Sequence, residues 1–283
     1  MIIRACQLPI SLLVGTASIF TANAATLIFS EEFNSAEPPA ALTTANTGLD
    51  GVFANNGSID SVVSTVGTGS AALFTGATTA GSQSGAYLVE GALSSMPVMT
   101  MGFTIRMQTS TSGVFGIYAG NGNTVGNNLT NTNRNTSHML WDLMINDSGQ
   151  LLYTTSSGAI PLPDFIVSDN TNYEFLIQVN NTSSAVDGVA ANSMSIYANG
   201  SLIGSGLALR AGTSTVTGFR MGARSTTTTG DLVAQVDDIR VWDGIQAIPE
   251  PSSSVLLLGA ACLLLRRNGC RHHKTRGNTS PQE

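Results

Sequence analysis

Apolar and polar residues alternate in short runs over most of the chain, with turn residues between the runs and almost no helical periodicity. Alternation of period two, punctuated by Gly, Asn, Asp and Ser, is the pattern of half-buried β-strands. Thr26–Phe33 suits a first strand, and Ser70–Thr75 and Ala86–Val89 are short ones. In Gly102–Gln108, Phe103, Ile105 and Met107 face one way and Thr104, Arg106 and Gln108 the other. Val114–Ala119 follows and is read as its partner. Met139–Ile145 is mostly apolar on both faces, which predicts a central strand covered on both sides. Asp147-Ser148-Gly149 predicts a turn back into Gln150–Thr154. Tyr173–Val179 and Ser193–Ala198 alternate cleanly. Asn199-Gly200 is the strongest hairpin signal, a type I′ turn into Ser201–Gly204. Gly218–Gly222 and Leu232–Trp242 complete an all-β set.

The two ends break this pattern. Met1–Ala24 has a positive Arg4, an apolar stretch Leu8–Phe20 and the small-x-small site Ala22-Asn23-Ala24, the parts of a secretory signal peptide. Near the other end stand Pro249-Glu250-Pro251, the uncharged run Val255–Leu265 and Arg266-Arg267. The run is shorter than the roughly 20 apolar residues of a stable spanning helix. The basic residues after it belong on the cytoplasmic side of a membrane. Prolines 249 and 251 keep the approach to the run extended, a shape a processing enzyme can grip. This Pro-Glu-Pro, short apolar helix and terminal arginine cluster resemble the PEP-CTERM sorting signal, with a longer basic tail than is usual for it. The resemblance implies export through the inner membrane, a transient hold there through the C-terminal helix, and an exosortase-type enzyme as partner. The expected organisation is a signal peptide at 1–24, a β-domain at 25–245, a sorting motif at 246–268 and a basic cytoplasmic tail at 269–283.

Composition sharpens that division. The three cysteines, Cys6, Cys262 and Cys270, all lie in the end segments, so the body can form no disulfide framework. Roughly 220 residues is ample for one core. Between Ala25 and Pro249, sixteen acidic residues face six arginines and no lysine, leaving the body near −10. That charge excludes a nucleic-acid footprint, which needs a basic surface.

Three segments in one order carry a second resemblance: Gly102–Met107, Met194–Gly204 and Val236–Trp242. They are similar to the LamG-like branch of the concanavalin A-like lectins and glucanases. The implied fold is a jelly roll of two antiparallel sheets. Glucanases of that superfamily carry a Glu-x-Asp-x-x-Glu strand, whose i and i+2 carboxylates share a face. No acid in this body has that spacing, and His138 is its only histidine. The resemblance also raises calcium, for which Asp147, Asp237 and Asp238 are the candidate ligands. For a sugar, an aromatic platform beside a carboxylate is wanted: Tyr118, Trp141 and Asp142 are the candidates, with Trp242 as a further aromatic.

The function expected from these readings is an exported, envelope-associated, non-catalytic module that binds or assembles extracellular polysaccharide. Two rivals stand beside it: a structural matrix or surface protein with protein partners, and a glycan-active enzyme with an unrecognised site.

Overall fold

A computed structural model of the chain describes residues 25–34, 40–41, 52–54, 59–75, 83–90, 93–108, 113–121, 138–211, 213, 215–224 and 233–248. The leader with Ala22 and Ala24, and the sorting segment with Pro249, Glu250, Pro251, Arg266 and Arg267, lie outside the described residues, as do both terminal helices expected from the sequence.

The strands are β1 (Thr26–Glu31), β2 (Ala40–Ala41), β3 (Val52–Ala54), β4 (Ile59–Val63), β5 (Ser70–Thr75), β6 (Gln83–Glu90), β7 (Val98–Gln108) and β8 (Val114–Gly120). They continue with β9 (Met139–Ile145), β10 (Gln150–Thr155), β11 (Gly158–Ile166), β12 (Asn172–Asn180), β13 (Ser193–Ala198), β14 (Ser201–Ala208), β15 (Gly218–Arg224) and β16 (Val233–Asp243). All pairings are antiparallel and form two sheets. The larger runs β14-β13-β12-β7-β16-β5-β4-β2, with β1 also on β16; the smaller runs β11-β10-β9-β8-β15-β6-β3.

Alternation places the core between the sheets. On β7, Met99, Met101, Phe103, Ile105 and Met107 are buried, while Thr104, Arg106 and Gln108 turn away from the core. Phe74 meets Phe115 and Phe29 meets Phe219 edge-on across the two sheets, at 5.5 and 5.4 Å between ring centres. Edge-to-face contact suits the quadrupoles of aromatic rings. Every residue of β9 is buried, as expected for a strand apolar on both faces. The Asn199-Gly200 turn has φ of 49° and 74°, the two positive values a type I′ turn requires.

Two expectations need correction. Val114–Ala119 does not pair with Gly102–Gln108: β8 lies in the smaller sheet between β9 and β15, and β7 in the larger between β12 and β16. Strands consecutive in sequence can lie in opposite layers of a sandwich when the connection crosses over. The second concerns β11, which is absent from the sequence reading because Pro161 and Pro163 mask it. It pairs only with β10, at the edge, where prolines cost no ladder bond on the open side.

Candidate functional site

The outward face of the larger sheet carries an open groove of about 390 Å3. Its lining comes from three strands and the segment after the last one: Glu174 and Leu176 from β12, Tyr197 from β13 with Asn199 and Gly200 of its turn, Arg240 and Trp242 from β16, then Gln246, Ala247 and Ile248. Strand parity explains the set. Phe175, Ile177, Ile196, Ile239 and Val241 fill the core, so their neighbours of opposite parity must turn outward.

The floor is low at β7 because Gly102 has no side chain. A Cβ there would lie 3.2 Å from Trp242 Cζ3 and 3.3 Å from Leu176 Cδ1. The indole of Trp242 therefore leans across β7 toward Leu176 rather than standing upright. Tyr197 is directly opposite Leu176 in the β12–β13 ladder. The polar groups surround this apolar floor. Asn199 is held by a reciprocal pair of bonds: Glu174 N–H donates to Asn199 Oδ1 at 2.8 Å, and Asn199 N–H to the Glu174 carbonyl at 2.8 Å. Arg240 Nη2 donates to Asp238 Oδ1 at 3.0 Å, which orients the guanidinium at the rim.

One wall is a strap formed by the chain as it leaves β16. The Thr100 hydroxyl donates to the Gly244 carbonyl at 2.9 Å, Gln246 N–H donates to Thr100 Oγ1 at 2.8 Å, and Gln178 Nε2 donates to the Gln246 carbonyl at 2.8 Å. Ile245 is buried, and so are Thr100 and Gln178. The strap thus crosses β7 and β12 before Ala247 and Ile248 border the groove. Such a site offers an apolar aromatic floor with a carboxylate, an amide and a guanidinium at its margins. It can stack a flat CH-rich ligand face and accept or donate hydrogen bonds around it.

The sequence candidates fall elsewhere, Trp242 excepted. Trp141 is fully buried, sharing the core face with Leu143 and Ile145, and presents no surface to a ligand. Asp142 is fully buried on the opposite face of β9, where Arg210 Nη1 donates to its Oδ2 at 2.7 Å. A buried carboxylate so paired is a structural ion pair, since leaving it uncompensated would be costly. Tyr118 is half-buried and stands opposite both Asp142 and Arg220 in the ladders of the smaller sheet. Burial pushes the Arg220 guanidinium down to about 10, with Tyr118 acting in the other direction. Tyr118, Trp141 and Asp142 therefore do not form an open platform; parity separates Trp141 from the other two.

The three metal candidates are not one donor set either. Asp147 is exposed in the β9–β10 turn, where Asn146 Oδ1 accepts the N–H groups of Ser148 and Gln150 at 3.1 and 2.9 Å. Asp237 is buried under the Ser64–Gly69 segment: Ser64 Oγ donates to its Oδ2 at 2.9 Å and Asp238 N–H to its Oδ1 at 2.8 Å. Burial pushes its carboxyl up to about 6; the nearby Asp238 and Glu32 charges add to the rise, and the two hydrogen bonds oppose it. Asp238 sits at a bulge with φ of 54° and turns its carboxylate to Arg240. Among the described residues no three His, Cys, Asp or Glu side chains are grouped to hold a metal ion. Asp147, Asp237 and Asp238 thus do not fit the calcium site the resemblance raises.

No protein-family model matches the sequence. No curated protein matches it. Among solved structures, domain 4 of AbnA, a GH43 extracellular arabinanase from Geobacillus stearothermophilus solved with arabinotriose, is similar at 14% identity and a TM-score of 0.47, over 79% of this chain and 95% of that one. The binding domain of botulinum neurotoxin serotype D/C VPI 5993 is similar at 14% identity and a TM-score of 0.48, over 78% of this chain. The binding domain of Paraclostridial Mosquitocidal Protein 1 gives 14% and 0.47, over 82% of this chain. This chain spans about half the length of the latter two, 50% and 51%. The described chain is an all-β sandwich of two antiparallel sheets, and it carries an aromatic-floored groove on the outer face of the larger one.

Proposed function

We propose that this chain is an exported, envelope-associated, non-catalytic binding module of the LamG-like kind that takes extracellular polysaccharide in the groove of the larger sheet. The observation that carries the reading is the pairing of Trp242 and Tyr197 with Glu174, Asn199 and Arg240 around one open groove. Sugar rings present apolar CH faces and a hydroxyl edge, and this lining complements both. Among the described residues that line the groove the one carboxylate is Glu174, where glycoside hydrolysis uses two across the scissile bond. That composition favours binding over catalysis. Export and delivery rest on the leader and on the PEP-CTERM-like segment Pro249–Arg267, with an exosortase-type enzyme as processing partner.

The test is a glycan array and a self-association assay on the chain from Ala25 to Ile248. Saturable binding to one class of polysaccharide supports the reading. Self-association with no glycan bound would replace it with the structural-matrix reading, and turnover of a bound glycan with the enzymatic one.

A further inference from the structure

The groove is the middle of a longer apolar row. Ladder register sets the row out across six strands. Leu27 of β1 is opposite Trp242 of β16, whose indole lies over Gly102 of β7. Gly102 is opposite Leu176 of β12, Leu176 opposite Tyr197 of β13, and Tyr197 opposite Leu202 of β14. Residues opposite one another in an antiparallel ladder share a face. The row ends are open: Leu27 is 49% and Leu202 54% exposed, whereas the solvent face of a sheet is ordinarily polar. Five strand spacings make it about 24 Å long.

Chain geometry sets what this face meets. The strap of Gly244–Gln246 is hydrogen-bonded across the outer side of β7 and β12 and delivers Ile248 to the groove rim. Val255, the first residue of the apolar run, is seven residues further on. Seven extended residues reach about 24 Å at most. The face therefore cannot stand further from the start of that run than about its own width. Ala25 adjoins Gly244, so the chain enters at the same end of the sheet from which the strap starts.

We propose that the Leu27–Trp242–Leu176–Tyr197–Leu202 row seats against the lipid headgroup boundary while the C-terminal segment is still in the membrane. The proposal rests on the anchor reading of Val255–Leu265. Trp and Tyr settle at that boundary because one end of each is apolar and the other polar, and leucines add apolar area. The charge balance selects the lipid. A body near −10 is repelled by anionic headgroups, so the docking is apolar and strongest on zwitterionic ones. Seating also covers the groove, so a tethered chain binds polymer poorly until it is released.

The experiment uses the full chain reconstituted in phosphatidylcholine vesicles whose acyl chains carry bromine. The chain has two tryptophans, and Trp141 is buried in the core, so quenching reports Trp242. Quenching of a component that disappears in Trp242→Phe, and that drops at least twofold in Leu27→Ser with Leu202→Ser, is expected. Phosphatidylglycerol should weaken it, and added salt should restore it. Both leucines are exposed, so their substitution leaves the core intact. A chain that floats with the vesicles but shows no quenching overturns the docking while leaving the anchor reading standing. A chain that fails to float overturns both.

Discussion

Asp237 offers a prediction whose size follows from its surroundings. Its side chain is 1% exposed and burial raises its pKa from 3.8 to about 6. Between about pH 4 and 6 the folded chain keeps a proton that the unfolded chain has released. Stability is therefore lost as pH rises through that window. A rise of about two units, at roughly 1.4 kcal/mol each, makes the penalty at neutral pH up to about 3 kcal/mol. Asp237→Asn removes the charge and keeps one contact, Asp238 N–H to Oδ1; it gives up the Ser64 bond, because Ser64 Oγ already accepts the Val66 and Gly67 N–H groups and cannot take an amide donor as well. At pH 7.5 the variant should be more stable than the parent by about 0.5–2 kcal/mol, and at pH 4 less stable by about 1 kcal/mol, the worth of the lost Ser64 bond. Urea unfolding at several pH values, followed by the fluorescence of buried Trp141, measures this. A variant less stable than the parent at pH 7.5 would refute the reasoning, because the carboxylate would then be compensated by a cation or a donor.

Other substitutions probe the fold and the groove. Arg210→Met should cost about 3–5 kcal/mol by stranding the buried Asp142 charge, and adding Asp142→Leu should recover most of it in thermal melts. Asn180→Ala should cost roughly 2–4 kcal/mol, since its amide bonds the carbonyls of Ser184, Val189 and Ala190 while its Oδ1 accepts from Thr182; chemical denaturation measures it. Gly200→Ala should cost about 1 kcal/mol through its positive φ, again in urea. Gly102→Val should raise the groove floor against Trp242 and weaken glycan binding at least tenfold, with the secondary structure unchanged by circular dichroism.

Much of the sandwich was legible because alternation is a local property. Ser193–Ala198 and Ser70–Thr75 were readable to the residue, and Met139–Ile145 was correctly a strand covered on both faces. The same parity already put Trp141 on one face with Leu143 and Ile145, so its burial was implicit in the pattern that nominated it. What alternation cannot convey is which strands lie side by side. Glu174, Tyr197, Arg240 and Trp242 meet because β12, β13, β7 and β16 are neighbours, and that order arises from long-range pairing. The same gap misassigned β8 to β7 rather than to β9 and β15. Two local features escaped for other reasons. The bulge at Asp238 needs a positive φ that aspartate signals weakly, and the bonds of the strap depend on Thr100 and Gln178, buried polar residues with no periodic signature. Of the nominated ligand residues only Trp242 was an aromatic in the groove, since an open platform depends on which face the second layer leaves bare.

The most direct test of the account is calorimetric titration of an array-positive polysaccharide into the chain from Ala25 to Ile248, beside its Trp242→Ala and Tyr197→Ala variants. The account predicts saturable binding to the parent and a loss of at least tenfold in each variant, about 1.4 kcal/mol or more, with unchanged unfolding midpoints. Undiminished binding in both variants would place the ligand elsewhere and contradict the groove as the site.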